Sequence, residues 1–217
     1  MPGSISHGRE LMTDGFGRAQ EDLPPFDQGR LDPREWFDIP GRSFEIEIGS
    51  GKGTYLIQTA PGQPQTNFLG IEVARKYYRY AADRMRRRQL SNVQMLGADA
   101  VEFLTYRCVD AIAHTIHIYF SDPWPKARHH KRRVIQDESL RQFHRILQPE
   151  GQVRLVTDHD DLWAWYEEHA ARSEALFERT EFGASGGELV GTNYERKFSR
   201  EGRPFHAMTL LRRDQSG

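Results

Sequence analysis

The residues best placed to do chemistry are Asp122 and the cations that follow it. Ser121-Asp122-Pro123-Trp124-Pro125-Lys126 runs on into Ala127-Arg128-His129-His130-Lys131-Arg132-Arg133. An apolar run, Ile116 to Phe120, ends abruptly at this acid. Pro123 and Pro125 restrict the backbone on either side of Trp124, which should hold Asp122 and nearby carbonyls in place. Trp124 itself can stack on a base or pack against neighbouring elements. Lys126, Arg128, Lys131, Arg132 and Arg133 can neutralise several phosphates, and binding of that kind weakens steeply with salt. His129 and His130 can add hydrogen bonds. Two adjacent histidines are not a metal site, and no acid stands at ligand spacing within the block, so no metal is expected.

A second set, of four acids and three glycines, lies upstream and downstream. Gly49, Gly51 and Gly53 follow an alternating run, Phe44 to Ile48, and let a backbone approach a ligand closely. The spacing is not the dinucleotide fingerprint, because the third glycine comes one residue early. Glu47, two residues before Gly49, would set negative charge beside a pyrophosphate. It suits an amine-bearing ligand better, such as the methionine part of S-adenosylmethionine, or else is an exposed strand residue. Glu72 can accept both hydroxyls of a ribose. Asp99 can accept from an adenine amino group, cap the next helix, or do both. Three acids at consecutive strand ends fit adenosine plus a sulfonium better than a phosphate ligand. Asp158 can hold the donor edge of a purine or cap the helix after it.

The elements that must position these residues follow from periodicity. Strands are expected at Phe44–Ile48, Asn67–Glu72, Val93–Leu96, Thr115–Phe120 and Val153–Asp158. Helices are expected from about Ala74 to Gln89, from Asp99 through Leu104, from about Gln136 to Leu147, and from about Asp161. Two late strands, Phe177–Phe182 and Phe205–Leu211, are expected to pair antiparallel. Alternation of this kind implies βαβ units and an α/β fold, with helices on both faces of a mostly parallel seven-stranded sheet and an antiparallel C-terminal strand. Ligands of such sheets bind at the carboxyl ends of the strands, where every acid named above falls.

Composition sets the outer bounds. A chain of 217 residues is expected to hold one domain over 36–217, with residues 1 to about 35 as a flexible or partly docked N-terminal extension. The net charge is −1, so bulk charge does not announce a nucleic-acid binder. Clusters of one sign do suggest a local polyanion site or two solvated faces: Lys126–Arg133, and Arg75, Lys76, Arg79, Arg84, Arg86, Arg87 and Arg88. A lone cysteine, Cys108, rules out an internal disulfide and fits a cytoplasmic protein. No apolar run reaches the roughly 18 residues of a membrane span, and the N-terminus lacks the apolar segment of a signal peptide.

Taken together, these motifs resemble the bacterial tRNA (guanine-N7-)-methyltransferases. The likeness rests on Glu47-Ile48-Gly49-Ser50-Gly51-Lys52-Gly53, Gly70-Ile71-Glu72, Ala98-Asp99-Ala100, the Ser121–Arg133 block, Thr157-Asp158 and Thr192-Asn193-Tyr194-Glu195. It covers roughly residues 44 to 211, and the Asp122–Arg133 block is its most specific part. The resemblance implies a Rossmann-like class I methyltransferase using S-adenosylmethionine, held by Glu47, Gly49, Gly51, Glu72, Asp99 and Asp122. It implies Asp122 as the active-site residue and Lys126, Asp158 and Thr192, Asn193, Tyr194 and Glu195 as substrate contacts. It also implies Arg128, His129, His130, Lys131, Arg132 and Arg133 as tRNA contacts, with the guanine at position 46 of the variable loop as target. Whether the chain is a monomer or a homodimer stays open. The Asp-Pro-Trp-Pro run also resembles the loop of amino-group methyltransferases, which keeps adenine N6 open as a target. A noncatalytic RNA-binding protein on the same scaffold is a further alternative, opposed by the retained acids.

Overall fold

The computed structural model describes residues 10–183 and 205–214. In chain order the strands are β1 (Gly17–Ala19), β2 (Ser43–Ile48), β3 (Thr66–Ile71), β4 (Val93–Gly97), β5 (Ala113–Tyr119), β6 (Leu147–Thr157), β7 (Phe177–Thr180) and β8 (His206–Arg212). The helices are α1 (Thr54–Thr59), α2 (Arg75–Arg88), α3 (Ala100–Tyr106), α4 (Asp137–Ile146) and α5 (Asp160–Arg172). They build one sheet in the order β1-β4-β3-β2-β5-β6-β8-β7. Among the described strands, only β8 runs antiparallel, against both β6 and β7. Among the described residues, no helix is long and apolar enough to cross a membrane.

Among the described residues the expected α/β alternation holds, with one strand more than the seven expected. The extra strand comes from the N-terminal extension: Gly17–Ala19 pair parallel with Met95–Gly97 at the outer edge. Three residues carry no readable period, so the sequence could not announce them. Gly17 fits because a Cβ there would stand 2.9 Å from Ala82 Cβ and 3.0 Å from the Tyr78 hydroxyl. The segment beyond it stays docked, with Leu31 bridging to Cys108 and the Trp36 ring 6.1 Å from that of Phe103.

Alternation along β2 sorts its side chains between two cores. Phe44, Ile46 and Ile48 join the core under α3, α4 and α5, together with Phe103, Phe143 and Leu162. Full burial of each such side chain stabilises the fold by about 1.5–3 kcal/mol. The opposite core, under α1 and α2, holds Leu56, Tyr78, Ala81 and Met85. The alternate residues of β2 turn to that side: Glu47 is buried there, and Glu45 is half-buried, bonded to His117, against which Tyr55 of α1 packs.

One boundary differs from expectation for a visible reason. The strand expected from Val153 starts at Leu147, directly after α4. Ala113 pairs with Leu147 and Thr115 with Gln152, so the residues between bulge out of the ladder. Glu150 takes a left-handed φ of 62° there, which makes Pro149-Glu150-Gly151 a bulge inside a strand rather than a break between elements.

Candidate active site

The parallel strands bring Glu47, Glu72, Asp99, Asp122 and Asp158 to one edge of the sheet. Glu47 is the penultimate residue of β2 and is only 5 % exposed. Its Oε2 is buried without a hydrogen-bond partner, an unusual state for a carboxylate on a central strand. Burial, and secondarily the charge of Glu72, push its pKa up to about 8, against an opposing hydrogen bond from Ser50. Beside it, the His117 ring is held between Glu45 Oε2 (2.7 Å) and the Tyr119 hydroxyl (2.6 Å), with Tyr55 packed against it. Burial lowers the His117 pKa despite the pull of Glu45, so this ring is a neutral hydrogen-bonding support. Nothing in the sequence periodicity distinguished this polar layer from a solvated strand face.

Glu72 fixes the glycine loop. Its Oε2 accepts from the Gly51 N–H at 2.8 Å, and its Oε1 accepts from the Ala74 N–H at 2.8 Å. Gly49 and Gly51 both take left-handed φ, at 75° and 52°, and a Cβ on either would meet nothing within 4 Å. The loop thus leaves open space beside two acids. Asp99 caps α3, its Oδ1 accepting from the Glu102 N–H at 2.9 Å. It is exposed, and Oδ2 is not used in that cap. The α5 cap belongs to His159, whose Nδ1 accepts from Leu162 N–H at 3.4 Å, so the capping alternative for Asp158 is taken by its neighbour.

Asp122 is exposed on a loop under backbone strain at both ends. Phe120 and Trp124 adopt left-handed φ of 53° and 43°. Each such non-glycine residue costs roughly 1–3 kcal/mol and persists only where its surroundings enforce it. The enforcement comes from β6 and α5. Phe120 N–H donates to the Val156 carbonyl at 2.8 Å, and the Ser121 and Tyr166 hydroxyls meet at 2.8 Å. Burial raises the Tyr166 pKa to about 12, so that hydroxyl keeps its proton.

The basic arm divides in the fold. Lys126, Arg128, Lys131 and Arg132 are exposed, the first just before and the others on a short 3-10 turn over Ala127–Arg132. Trp124 packs against its own arm: the Arg132 guanidinium lies 4.9 Å from its ring centre, and the His129 ring meets it edge-on at 5.9 Å. His130 turns inward, edge-on to Trp165. Arg133 departs from the expected solvent-facing contact. It is 3 % exposed, its Nε donates to the Pro123 carbonyl at 2.9 Å, and its Nη2 donates to Asp161. Its guanidinium also lies 4.9 Å from the Trp165 ring centre. Arg133 therefore ties the Asp122 loop to α5, because the turn ends just before it and redirects its side chain inward. Thr192, Asn193, Tyr194 and Glu195 lie outside the described residues.

Comparison with known proteins decides the family. Residues 42–208 match the Methyltransf_4 family of methyltransferases. The tRNA (guanine-N(7)-)-methyltransferase of Corynebacterium diphtheriae is 36 % identical over 174 residues, covering 76 % of this chain and 67 % of that one. That of Agrobacterium fabrum is 35 % identical over 198 residues, covering 89 % and 82 %. The chain belongs to the bacterial tRNA (guanine-N7-)-methyltransferase family. The fold agrees: the aminoglycoside resistance methyltransferase NpmB1 superposes with a TM-score of 0.56 at 18 % identity, over 79 % of this chain and 88 % of that one. A SAM-dependent methyltransferase from Aquifex aeolicus gives 0.53 at 11 % identity, over 78 % and 81 %.

For a member of this methyltransferase family, the residues present fit S-adenosylmethionine. Glu47 offers a buried carboxylate oxygen that lacks a donor, which an ammonium would supply. Gly49 and Gly51 leave the space a ligand needs, and Glu72 and Asp99 retain acceptor capacity at the adjoining strand ends. Among the described residues, no three His, Cys, Asp or Glu side chains converge as a metal site.

Two measurements follow from this geometry. Glu47 titrates near 4.5 unfolded and about 8 in the cofactor-free fold, so its contribution to stability is complete below pH 4.5 and is lost as pH rises through 8. Urea denaturation across that window should show a flatter stability profile for Glu47→Gln than for the parent, and parallel profiles would refute the assignment. Arg133→Ala should lower the melting temperature by roughly 3 °C or more, whereas Arg132→Ala should leave it nearly unchanged. Equal melting shifts for the two variants would return Arg133 to the solvated arm.

Proposed function

We propose that this chain transfers a methyl group from S-adenosylmethionine to guanine N7 of tRNA, at position 46 in the variable loop. The observation that carries the reading is the Asp122 loop. It sets an exposed carboxylate at the same strand edge as the buried Glu47, with the exposed cations Lys126, Arg128, Lys131 and Arg132 immediately after it. One strand end thereby serves both substrates. The reading also implies a cytoplasmic enzyme, where tRNA is found.

When bound, S-adenosylmethionine supplies the methyl group on a sulfonium. Guanine N7 presents a lone pair and no proton, so the site needs no general base. What the chain must provide is alignment and charge. Glu47 holds the ammonium end, Glu72 the ribose hydroxyls and Asp99 the adenine amino group. Positive charge moves onto the purine as its N7 bond forms, and Asp122 stabilises that charge or accepts from the base's N1–H or amino group. Asp158 follows the end of β6 and Lys126 the Asp122 loop, both suited to the nucleotide, and the Thr192–Glu195 segment is assigned to substrate by family likeness alone. Arg128, Lys131 and Arg132 take phosphates, with His129 adding a hydrogen bond.

Incubating the protein with methyl-labelled S-adenosylmethionine and unmodified tRNA should label the RNA, with strand cleavage selective for 7-methylguanine falling at position 46. Label without that cleavage would move the target to another atom, and cleavage elsewhere would move the position. Asp122→Asn should lower kcat by roughly 10²-fold while leaving cofactor affinity within a few-fold, measured by steady-state kinetics and calorimetry. Turnover equal to the parent would remove Asp122 from the chemistry.

A further inference from the structure

The second basic cluster lies on α2, and the fold uses its members unequally. Arg79 donates to the Leu11 carbonyl at 3.1 Å, while Arg86 and Arg87 hold the buried Asp83 at 3.1 and 3.0 Å. Those three are spent on the chain's own acceptors. Lys76 and Arg88 are exposed and have no acceptor among the described residues. Arg84 donates one bond to the Lys52 carbonyl and lies 5.6 Å from the Tyr80 ring centre.

Helical spacing gathers the remainder. Lys76, Tyr80, Arg84 and Arg88 follow one another at intervals of four, so they form one stripe along α2. Tyr77 stands beside it, 38 % exposed, and Val73 precedes the helix at 70 % exposed. The opposite face, through Tyr78, Ala81, Ala82 and Met85, is buried against the sheet. A merely solvated helix face tends to alternate acids with bases. Here the sole acid of α2 is Asp83, and it is buried under Arg86 and Arg87. Burial first, and then the nearby charges of Arg88 and Arg87, hold the Arg84 pKa below its ordinary value, with Tyr80 opposing. Asp83 answers Arg86 and Arg87, and Glu21 lies 3.9 Å from Arg75, so the cations left crowded without a paired acid among the described residues are Lys76, Arg84 and Arg88, beside exposed aromatic and apolar surface.

The stripe's position matters as much as its composition. It begins directly after Glu72, at the ligand edge of the sheet, on the face opposite α3–α5. The Lys126–Arg132 arm leaves the same edge after β5. Since β3 and β5 flank β2, the roots of the two basic surfaces are about 10 Å apart, within the span of one folded RNA. Cations interleaved with tyrosines suit a polyanion whose bases can stack.

We propose that the Lys76–Tyr77–Tyr80–Arg88 stripe is a second RNA-docking surface, holding phosphates and an unstacked base of the same tRNA from the far side of the sheet. This rests on the tRNA reading above. The two cationic surfaces root on either side of the cofactor edge, and an acidic protein partner, which the ring would also suit, would leave the tRNA KM of the variant below unchanged.

The test is the triple variant Lys76→Ala/Tyr77→Ala/Arg88→Ala, run beside the parent and Arg132→Ala. The triple variant is expected to raise the KM for tRNA roughly tenfold and to reduce the slope of log affinity against log salt by about 2, with kcat and S-adenosylmethionine affinity unchanged. If Arg132→Ala raises KM while the triple variant matches the parent in KM and salt slope, the stripe is a solvated face and the proposal is overturned. A parent protein that labels no tRNA overturns the tRNA reading itself, and the stripe with it.

Discussion

Parallel pairing is the constraint on which everything else here depends. Strands that run the same way must be joined by crossovers, and each crossover returns the chain to the same starting side. The carboxyl ends of β2 through β6 therefore have no choice but to share an edge. Five acids separated by more than 100 positions, Glu47 to Asp158, become neighbours through chain direction alone. Helices on both faces then seal the strands, which leaves that edge as the place where polar groups can meet a ligand.

Sealing has a cost that falls on Glu47. A carboxylate on a central strand, with one oxygen unpartnered, opposes folding when ionised. The hydrogen-bonded layer of Glu45, His117, Tyr119 and Tyr55 keeps the polar groups beneath it satisfied and rigid. The same division between pinned and available groups recurs across the site. Glu72 is pinned by two backbone N–H groups, Asp99 by its cap, Arg133 by Pro123 and Asp161. What remains available is one oxygen of Glu47, one of Asp99, the second lone pair on each Glu72 oxygen, the carboxylate of Asp122 and the exposed cations.

Much of this was legible in the sequence because it rests on local rules. The 2-residue period of Phe44–Ile48, the 3.6-residue period of α2 and the glycine loop between them are set by near neighbours in the chain. So is the abrupt change at Asp122. The misses are all non-local. The Glu45/Glu47 alternation reads equally as a solvated face, and what covers it is distant chain, α1 with Tyr55 packed over His117. Arg133 belongs by composition to a cation run, and its burial depends on where a 3-10 turn happens to end relative to Trp165. β1 has three residues and no period, and exists because Tyr78 and Ala82 leave room for Gly17.

That smallest strand has an outsized effect on how the molecule behaves in company. Without Gly17–Ala19, the outer flank of β4 would present a row of open backbone donors and acceptors, a template for another chain's strand. β1 occupies that row, and being three residues long it offers little template in turn. The opposite flank is β7, four residues carrying Glu178 and Arg179, whose charges discourage a flat apolar neighbour. Both borders of the sheet are thus blunted against edge-to-edge aggregation, leaving the crowded cations and open acids as the surfaces through which the molecule meets others.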